Sequence, residues 1–209
     1  MTADRVLSFA SLLTVTSGRN AGKPMIVLPH IEDALRGTLR PGVRTACISW
    51  PRKQSKTTGY AAVLVASALV GPLAVPRGQI ATASRSREQA SLIFDEVAAF
   101  FRAEPELFHR VNISESRKMV TSLTNGSTFK ALSADATTAH GLGLDLFVMD
   151  EAAQQRDASL WDVLFTSQSA RKNPKAIAIG TRPQDPQHFF SKMIDYGLRV
   201  NSGEYEDSS

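Results

Sequence analysis

From Arg44 onward, short apolar runs alternate with longer segments whose apolar residues recur at helical spacing. RTACISW (44–50), GQIATAS (78–84), LDLFVMDEA (144–152) and KAIAIGT (175–181) read as strands. Their apolar residues are near-continuous rather than alternating, the mark of a strand buried on both faces. Between and after them, TTGYAAVLVASALVG (57–71), SREQASLIFDEVAAFFRAEP (86–105), DASLWDVLFTSQSA (157–170) and PQHFFSKMIDYG (186–197) read as helices. The second has Ser84 or Ser86 as cap and Pro105 near its stop. Within 118–133 two strand-like runs flank Asn125-Gly126, the strongest short hairpin signal. Strand–helix alternation of this kind predicts a three-layer α/β sandwich with a mainly parallel central sheet. Ligands then bind at the carboxyl ends of the strands.

The opening residues read differently. Gly18, Gly22, Pro24, Pro29, Gly37, Pro41 and Gly42 punctuate them, PMIVLPH (24–30) is strand-like and IEDALRGTL (31–39) suggests a short helix. This gives an extension over 1–42 packed on a core over 43–196, with a polar tail or start of a linker over 197–209. Neither an internal repeat nor a low-complexity segment is evident.

Composition adds few constraints. The chain has 209 residues, 43% of them hydrophobic, enough for one sizeable core. A net charge of +4 tolerates a polyanionic partner without requiring one. One cysteine, Cys47, excludes an internal disulfide and lies in an apolar run, as a buried thiol would. Tyr60 to Val70, the longest apolar run, is about half a membrane span, so no membrane association is expected.

The candidate chemistry begins in ISWPRKQSKTTGY (48–60). On the phosphate-loop pattern G-x-x-x-x-G-K-[ST], Lys56 and Thr57 take the lysine and hydroxyl positions, while Trp50 and Ser55 stand where glycines belong. Such a loop needs backbone amides turned to phosphate, a helix behind them, a lysine and a hydroxyl. Ser55 can replace the glycine if its φ is negative or if modest strain is tolerated. The motif alone leaves a nucleotide loop and a solvated basic loop both open; its place between a strand and a helix favours the first. The rival GRNAGKP (18–24) has Pro24 at the hydroxyl position and neither a strand before it nor a helix after it, so it reads as a turn.

Asp150 and Glu151 end an apolar strand about 95 residues later. Adjacent acids there can divide two tasks, one holding a Mg²⁺ shell and one activating water. The alternative is a pair of acids welcomed by a helix N-terminus. Gly180-Thr181-Arg182 ends a further strand, where a polar side chain could sit beside a γ-phosphate, or simply form a turn.

PRKQSKTT, LSADATTAHGLGLDLFVMDEA and AIGTRPQ together resemble the ATPase domain of the tailed-phage terminase large subunit, in its HK97-like branch. The resemblance runs from about Met25 to Tyr196 and includes TASRSREQASLIFDE. It implies a phosphate-loop NTPase of the additional-strand, catalytic-glutamate type that hydrolyses ATP with Mg²⁺. By that analogy Arg52, Lys53, Gln54, Ser55, Lys56, Thr57 and Thr58 form the phosphate loop. Arg52 touches the γ-phosphate or couples to it, Thr57 binds the metal, Asp150 holds it through water, Glu151 activates water and Thr181 matches the coupling motif. The opening segment covers the adenine, although His30 and Ile31 stand where the family often has an aromatic–Gln pair.

Double-stranded DNA, a terminase small subunit, a portal protein and a homo-oligomeric ring are the implied partners. The host cytoplasm, with transient docking on the procapsid, is the implied place. A ring supplies an arginine in trans, for which Arg85, Arg87, Arg156 and Arg171 qualify by position. The nuclease half of such proteins is not expected in this chain: Glu204, Glu206 and Asp207 lie in a polar stretch, not on strands. Two other readings remain, a helicase-like DNA-dependent ATPase and a degenerate nucleotide-binding scaffold without turnover.

Overall fold

The computed structural model describes residues 2–133 and 141–205, Arg87 and Ser133 by their backbone alone. The elements are α1 (Thr2–Ala10), α2 (Pro29–Thr38), β1 (Thr45–Ser49), a π-helical turn (Lys56–Ala62) running into α3 (Val63–Val70), β2 (Gln79–Ser84), α4 (Arg87–Ala103) and α5 (Pro105–Phe108). They continue with β3 (Val111–Ser114), β4 (Met119–Ser122), β5 (Thr128–Ser133), β6 (Leu146–Met149), α6 (Ser159–Thr166), β7 (Lys175–Gly180) and α7 (Phe189–Asn201).

The seven strands form one sheet in the order β1-β7-β6-β2-β5-β4-β3. Neighbours from β1 to β5 are parallel, while β4 pairs antiparallel with β5 and with β3. The carboxyl ends of the parallel strands are therefore Ser49, Gly180, Met149, Ser84 and Ser133.

Near-continuous apolar strands bury both faces, as expected. Ile80, Leu146, Val148, Ile177 and Ile179 face α1 to α4, whereas Ala81, Phe147, Met149, Ala176 and Ala178 face the layer of α6 and α7. The three-layer α/β sandwich with a mainly parallel central sheet, read from the pattern, is the fold observed. Ser86 caps α4 by accepting from the Gln89 amide at 3.2 Å, and the helix ends at Ala103, before Pro105. Asn125-Gly126 lies in the β4–β5 turn, with Gly126 at φ +74°.

The opening segment departs from its reading. Val6, Phe9, Ala10 and Leu13, at i, i+3, i+4 and i+7, place α1 in the same core as α3. PMIVLPH does not form a strand: only Pro24 makes a bridge, to Thr14, and Ile26 is 83% exposed. Its two prolines cannot donate to a ladder. β3 was not legible as a strand. The last helix continues to Asn201, so the first residues of the polar tail are helical. The segment Ala134–His140, which carries most of the SADATTAH motif, lies outside the described residues.

No described helix is long and apolar enough to cross a membrane.

Candidate active site

β1 ends at Ser49 and the chain turns through Trp50–Ser55 before the helix begins. The Trp50 amide donates to the Gly180 carbonyl at 3.1 Å, tying the start of the loop to the end of β7. Lys53 and Ser55 both adopt left-handed backbone, at φ +65° and +55°. Of the two possibilities open for Ser55, the structure takes the strained one. A serine there costs about 1–2 kcal/mol that glycine would avoid.

Lys56 opens the helix. It is only 8% exposed, and its ammonium donates to the carbonyls of Trp50 and Pro51, each at 2.8 Å. The following turn is π-helical, a widening frequent at functional sites. Gly59 lets α2 pack closely on this turn: a Cβ there would lie 2.7 Å from Ile31 Cδ1 and 3.3 Å from Ser55 Cβ. Tyr60 is fully buried, with its hydroxyl 2.6 Å from Thr38 Oγ1. α2 thus packs along the loop helix, and at its start His30 meets Trp50 edge to face at 4.9 Å. His30 Nε2 also lies 3.3 Å from the Gln54 carbonyl.

Asp150 follows β6 and is 3% exposed. Its amide donates to the Ala83 carbonyl and its Oδ1 accepts the Glu151 amide at 2.8 Å. The Thr57 hydroxyl and the Lys56 charge both favour the ionised form of the same carboxylate. Burial pushes the Asp150 carboxyl up to about 6, helped by the Glu151 charge; the Glu151 amide, Lys56 and Thr57 pull against it. Glu151 has left-handed backbone at φ +48°, so the chain turns sharply just after Asp150. Strain of this kind at a non-glycine residue concentrates at functional sites.

Thr181 follows β7, and its hydroxyl donates to the Trp50 carbonyl at 3.1 Å. Loop, acids and Thr181 therefore converge on adjacent carboxyl ends. Arg52, Lys53 and Gln54 form the exposed rim of the loop, while Thr57 and Thr58 are half-buried on the first turn.

The arginines proposed to act in trans separate. Arg85 and Arg156 are exposed in connections at carboxyl ends. Arg171 lies at the opposite, amino end of the sheet, where its Nε donates to the Gly143 carbonyl at 2.7 Å and its guanidinium pairs with Asp145 at 3.7 Å. The Arg87 side chain lies outside the description.

One relay was not legible in the sequence. Ser84 Oγ donates to Gln89 Oε1 at 3.2 Å, and Gln89 Nε2 to Gln154 Oε1 at 3.0 Å. The Gln154 amide in turn donates to the Glu151 carbonyl at 2.8 Å, so the relay braces the turn that carries Glu151. Its only sequence signal is a serine at a strand end followed by a glutamine in the first turn of a helix.

A lysine-bearing loop opening a helix, a buried aspartate meeting its threonine, and a glutamate one residue on define a phosphate-loop NTPase. The family description "Terminase large subunit, ATPase domain" matches residues 35–196. The terminase large subunit of Enterobacteria phage HK97 is 34% identical over 201 residues, covering 94% of this chain and 40% of that protein. The crystal structure of the HK97 large terminase superimposes with a TM-score of 0.87 at 32% identity, covering 95% of this chain and 42% of that one. The ATPase domain of the Thermus phage P74-26 large terminase shares the fold, with a TM-score of 0.62 at 21% identity over 80% of this chain and 68% of that one. The chain belongs to the family of terminase large subunit ATPase domains. It spans 40% of the length of its HK97 relative.

Proposed function

We propose that this chain is the ATP-hydrolysing motor domain of a terminase large subunit, driving double-stranded DNA into a procapsid. The meeting of Thr57 and Asp150, with the Lys56 charge beside them, carries the reading. A hydroxyl and a carboxylate in contact fit one Mg²⁺, an ion commonly held by one or two protein oxygens together with substrate phosphates. The buried Asp150, with burial disfavouring its charge, gains most from a cation there. That ion would neutralise charge developing on the phosphate oxygens.

The residues then take distinct tasks. Amides around Gln54 and Ser55 cradle the phosphates, with Arg52, Lys53 and Thr58 about them. Lys56 exchanges the Trp50 and Pro51 carbonyls for phosphate oxygens. Glu151 accepts a proton from the water whose oxygen attacks the γ-phosphorus. The bond to the bridging oxygen breaks with its electron pair, and ADP and phosphate leave. Arg52 stabilises charge on the γ-phosphate. Thr181 follows the loop through Trp50.

The relative geometry of α2, His30 and Trp50 supports the opening segment as the adenine-side cover. A homo-oligomeric ring supplies the trans arginine, with Arg85 and Arg156 the exposed candidates near carboxyl ends. A portal protein and a small subunit complete the assembly, in the host cytoplasm. The structure of a large terminase from a thermophilic bacteriophage in complex with ADP, a match in fold, is in keeping with a nucleotide ligand.

Ser55 and Trp50 in glycine positions motivate the scaffold reading, a nucleotide site without turnover. The left-handed Ser55 fits both readings, because each needs the anion-binding turn; turnover is what separates them. Phosphate release from Mg²⁺-ATP at high protein concentration separates them. The chain is expected to exceed its Glu151→Ala variant by 10²-fold or more, on the order of a lost general base. Equal background release from both would leave the scaffold.

A further inference from the structure

At the amino ends of the strands, opposite the phosphate loop, lies a second concave site of about 670 Å³. Leu64, Ala68, Leu73, Ile80 and Ile177 form an apolar floor, and Val75, 45% exposed, stands at the mouth. Around them stand five cations, Arg40, Arg44, Arg171, Lys172 and Lys175, against one carboxylate, Asp145. That imbalance equals the +4 net charge of the whole chain.

These cations are poorly compensated. Asp145 already accepts the Gln79 amide at 2.9 Å and pairs with Arg171. Arg44 lies over the Phe165 ring, 4.1 Å from its centroid, and Lys175 donates to the Val43 carbonyl, both neutral partners. Burial lowers the proton affinity of Lys175. Positive charge drawn from water without counter-charge is costly, and an anion entering the site relieves that cost. Arg40 and Lys172 are exposed and free to reach it.

We infer that this cavity docks an acidic, apolar polypeptide segment of a partner protein, carboxylates on Arg40, Lys172 and Lys175 and apolar side chains on the Leu64–Ile80 floor. The concavity favours this occupant over a nucleic-acid backbone. A duplex is convex, and its phosphates would meet only the exposed rim cations, leaving the apolar floor empty. The site shares no residue with the phosphate loop, so the inference does not depend on nucleotide hydrolysis.

The test uses fluorescence anisotropy with a labelled twelve-residue peptide of alternating Leu and Glu, and its Leu–Gln counterpart. The 209-residue chain is expected to bind the acidic peptide at least tenfold more tightly than the neutral one. Arg40→Glu combined with Lys172→Glu, both surface changes, should weaken acidic-peptide binding tenfold or more while leaving ATP-analogue affinity unchanged. Lys56→Ala should leave peptide binding intact. Equal affinity for the two peptides, or no effect of the double change, overturns the inference. So does a double change that abolishes binding of a labelled DNA duplex but spares the peptide, because the surface then serves nucleic acid.

Discussion

Lys56 and Thr181 meet on one atom: the Trp50 carbonyl oxygen accepts the ammonium at 2.8 Å and the hydroxyl at 3.1 Å. A phosphate that draws Lys56 away leaves Thr181 as the remaining partner of that oxygen. Binding and coupling therefore separate by mutation. Thr181→Val is expected to leave ATP-analogue affinity within about fivefold, since one neutral hydrogen bond is worth ~1 kcal/mol or less here. Turnover should fall about tenfold. Lys56→Ala should remove nucleotide binding altogether. Isothermal titration with a non-hydrolysable analogue, beside steady-state phosphate release, reads both; parallel losses in the Thr181 variant would refute the separation.

Ser55→Gly relieves the left-handed strain at φ +55°. The folded chain should gain stability, up to about 1 kcal/mol once the greater freedom of unfolded glycine is counted. Nucleotide binding should be preserved or tightened. Ser55→Ala keeps the strain and should bring no gain. Urea midpoints for the three chains decide it, and a Ser55→Gly chain less stable than the parent contradicts the assignment of the loop.

Asp150 makes stability depend on pH. Its carboxyl titrates near 6 when folded and near 3.8 otherwise, chiefly because burial disfavours the charge. Between those values the folded chain holds the extra proton, so stability falls as pH rises from about 4 to 6 and stays lower above. The total is about 3 kcal/mol. Asp150→Asn should accordingly stabilise the nucleotide-free chain at pH 8 far more than at pH 4, while removing Mg²⁺-dependent turnover. The same stabilisation at both pH values would show that Asp150 is not titrating.

Thr38→Val leaves the buried Tyr60 hydroxyl without its 2.6 Å partner. The expected cost is about 1–3 kcal/mol, and the Thr38→Val, Tyr60→Phe double variant should recover part of it. Thermal denaturation of Thr38→Val, Tyr60→Phe and the double variant measures the coupling. Strict additivity would mean that the pair contributes nothing jointly.

The parallel core was legible because β6 and β7 are continuous apolar runs and β2 is nearly so, as burial on both faces demands. That Lys56 and Thr57 would open a helix after β1, and that Asp150 and Glu151 would follow β6, was legible from the residues around them. Where backbone shape carries the information, the sequence was nearly silent. The π-helical turn has no sequence signature, and Gly59 fits under Ile31, a contact across 28 positions that no local pattern records. The left-handed Lys53, Ser55 and Glu151 use residues with no strong preference for that region. α1 had its spacing in plain view, at 6, 9, 10 and 13, but prolines and glycines further on drew the segment toward an irregular reading. The Ser84–Gln89–Gln154 relay joins three separate segments and existed only once β2 and β6 lay side by side.

The π-helical opening, Lys56–Ala62, has a mechanical consequence. A π turn can pass into an α turn by exchanging hydrogen bonds one at a time, without unfolding. Each exchange swings the residues on one side of it about the helix axis by a fraction of a turn, about 100° per residue in an α-helix. Tyr60 is clamped to Thr38 and α3 is packed all round, so the far half cannot follow. An exchange of that kind would be taken up at Lys56 and Thr57, whose partners are Trp50, Pro51 and Asp150. The opening turn is anchored by packing at its far end and by exchangeable hydrogen bonds at its near one.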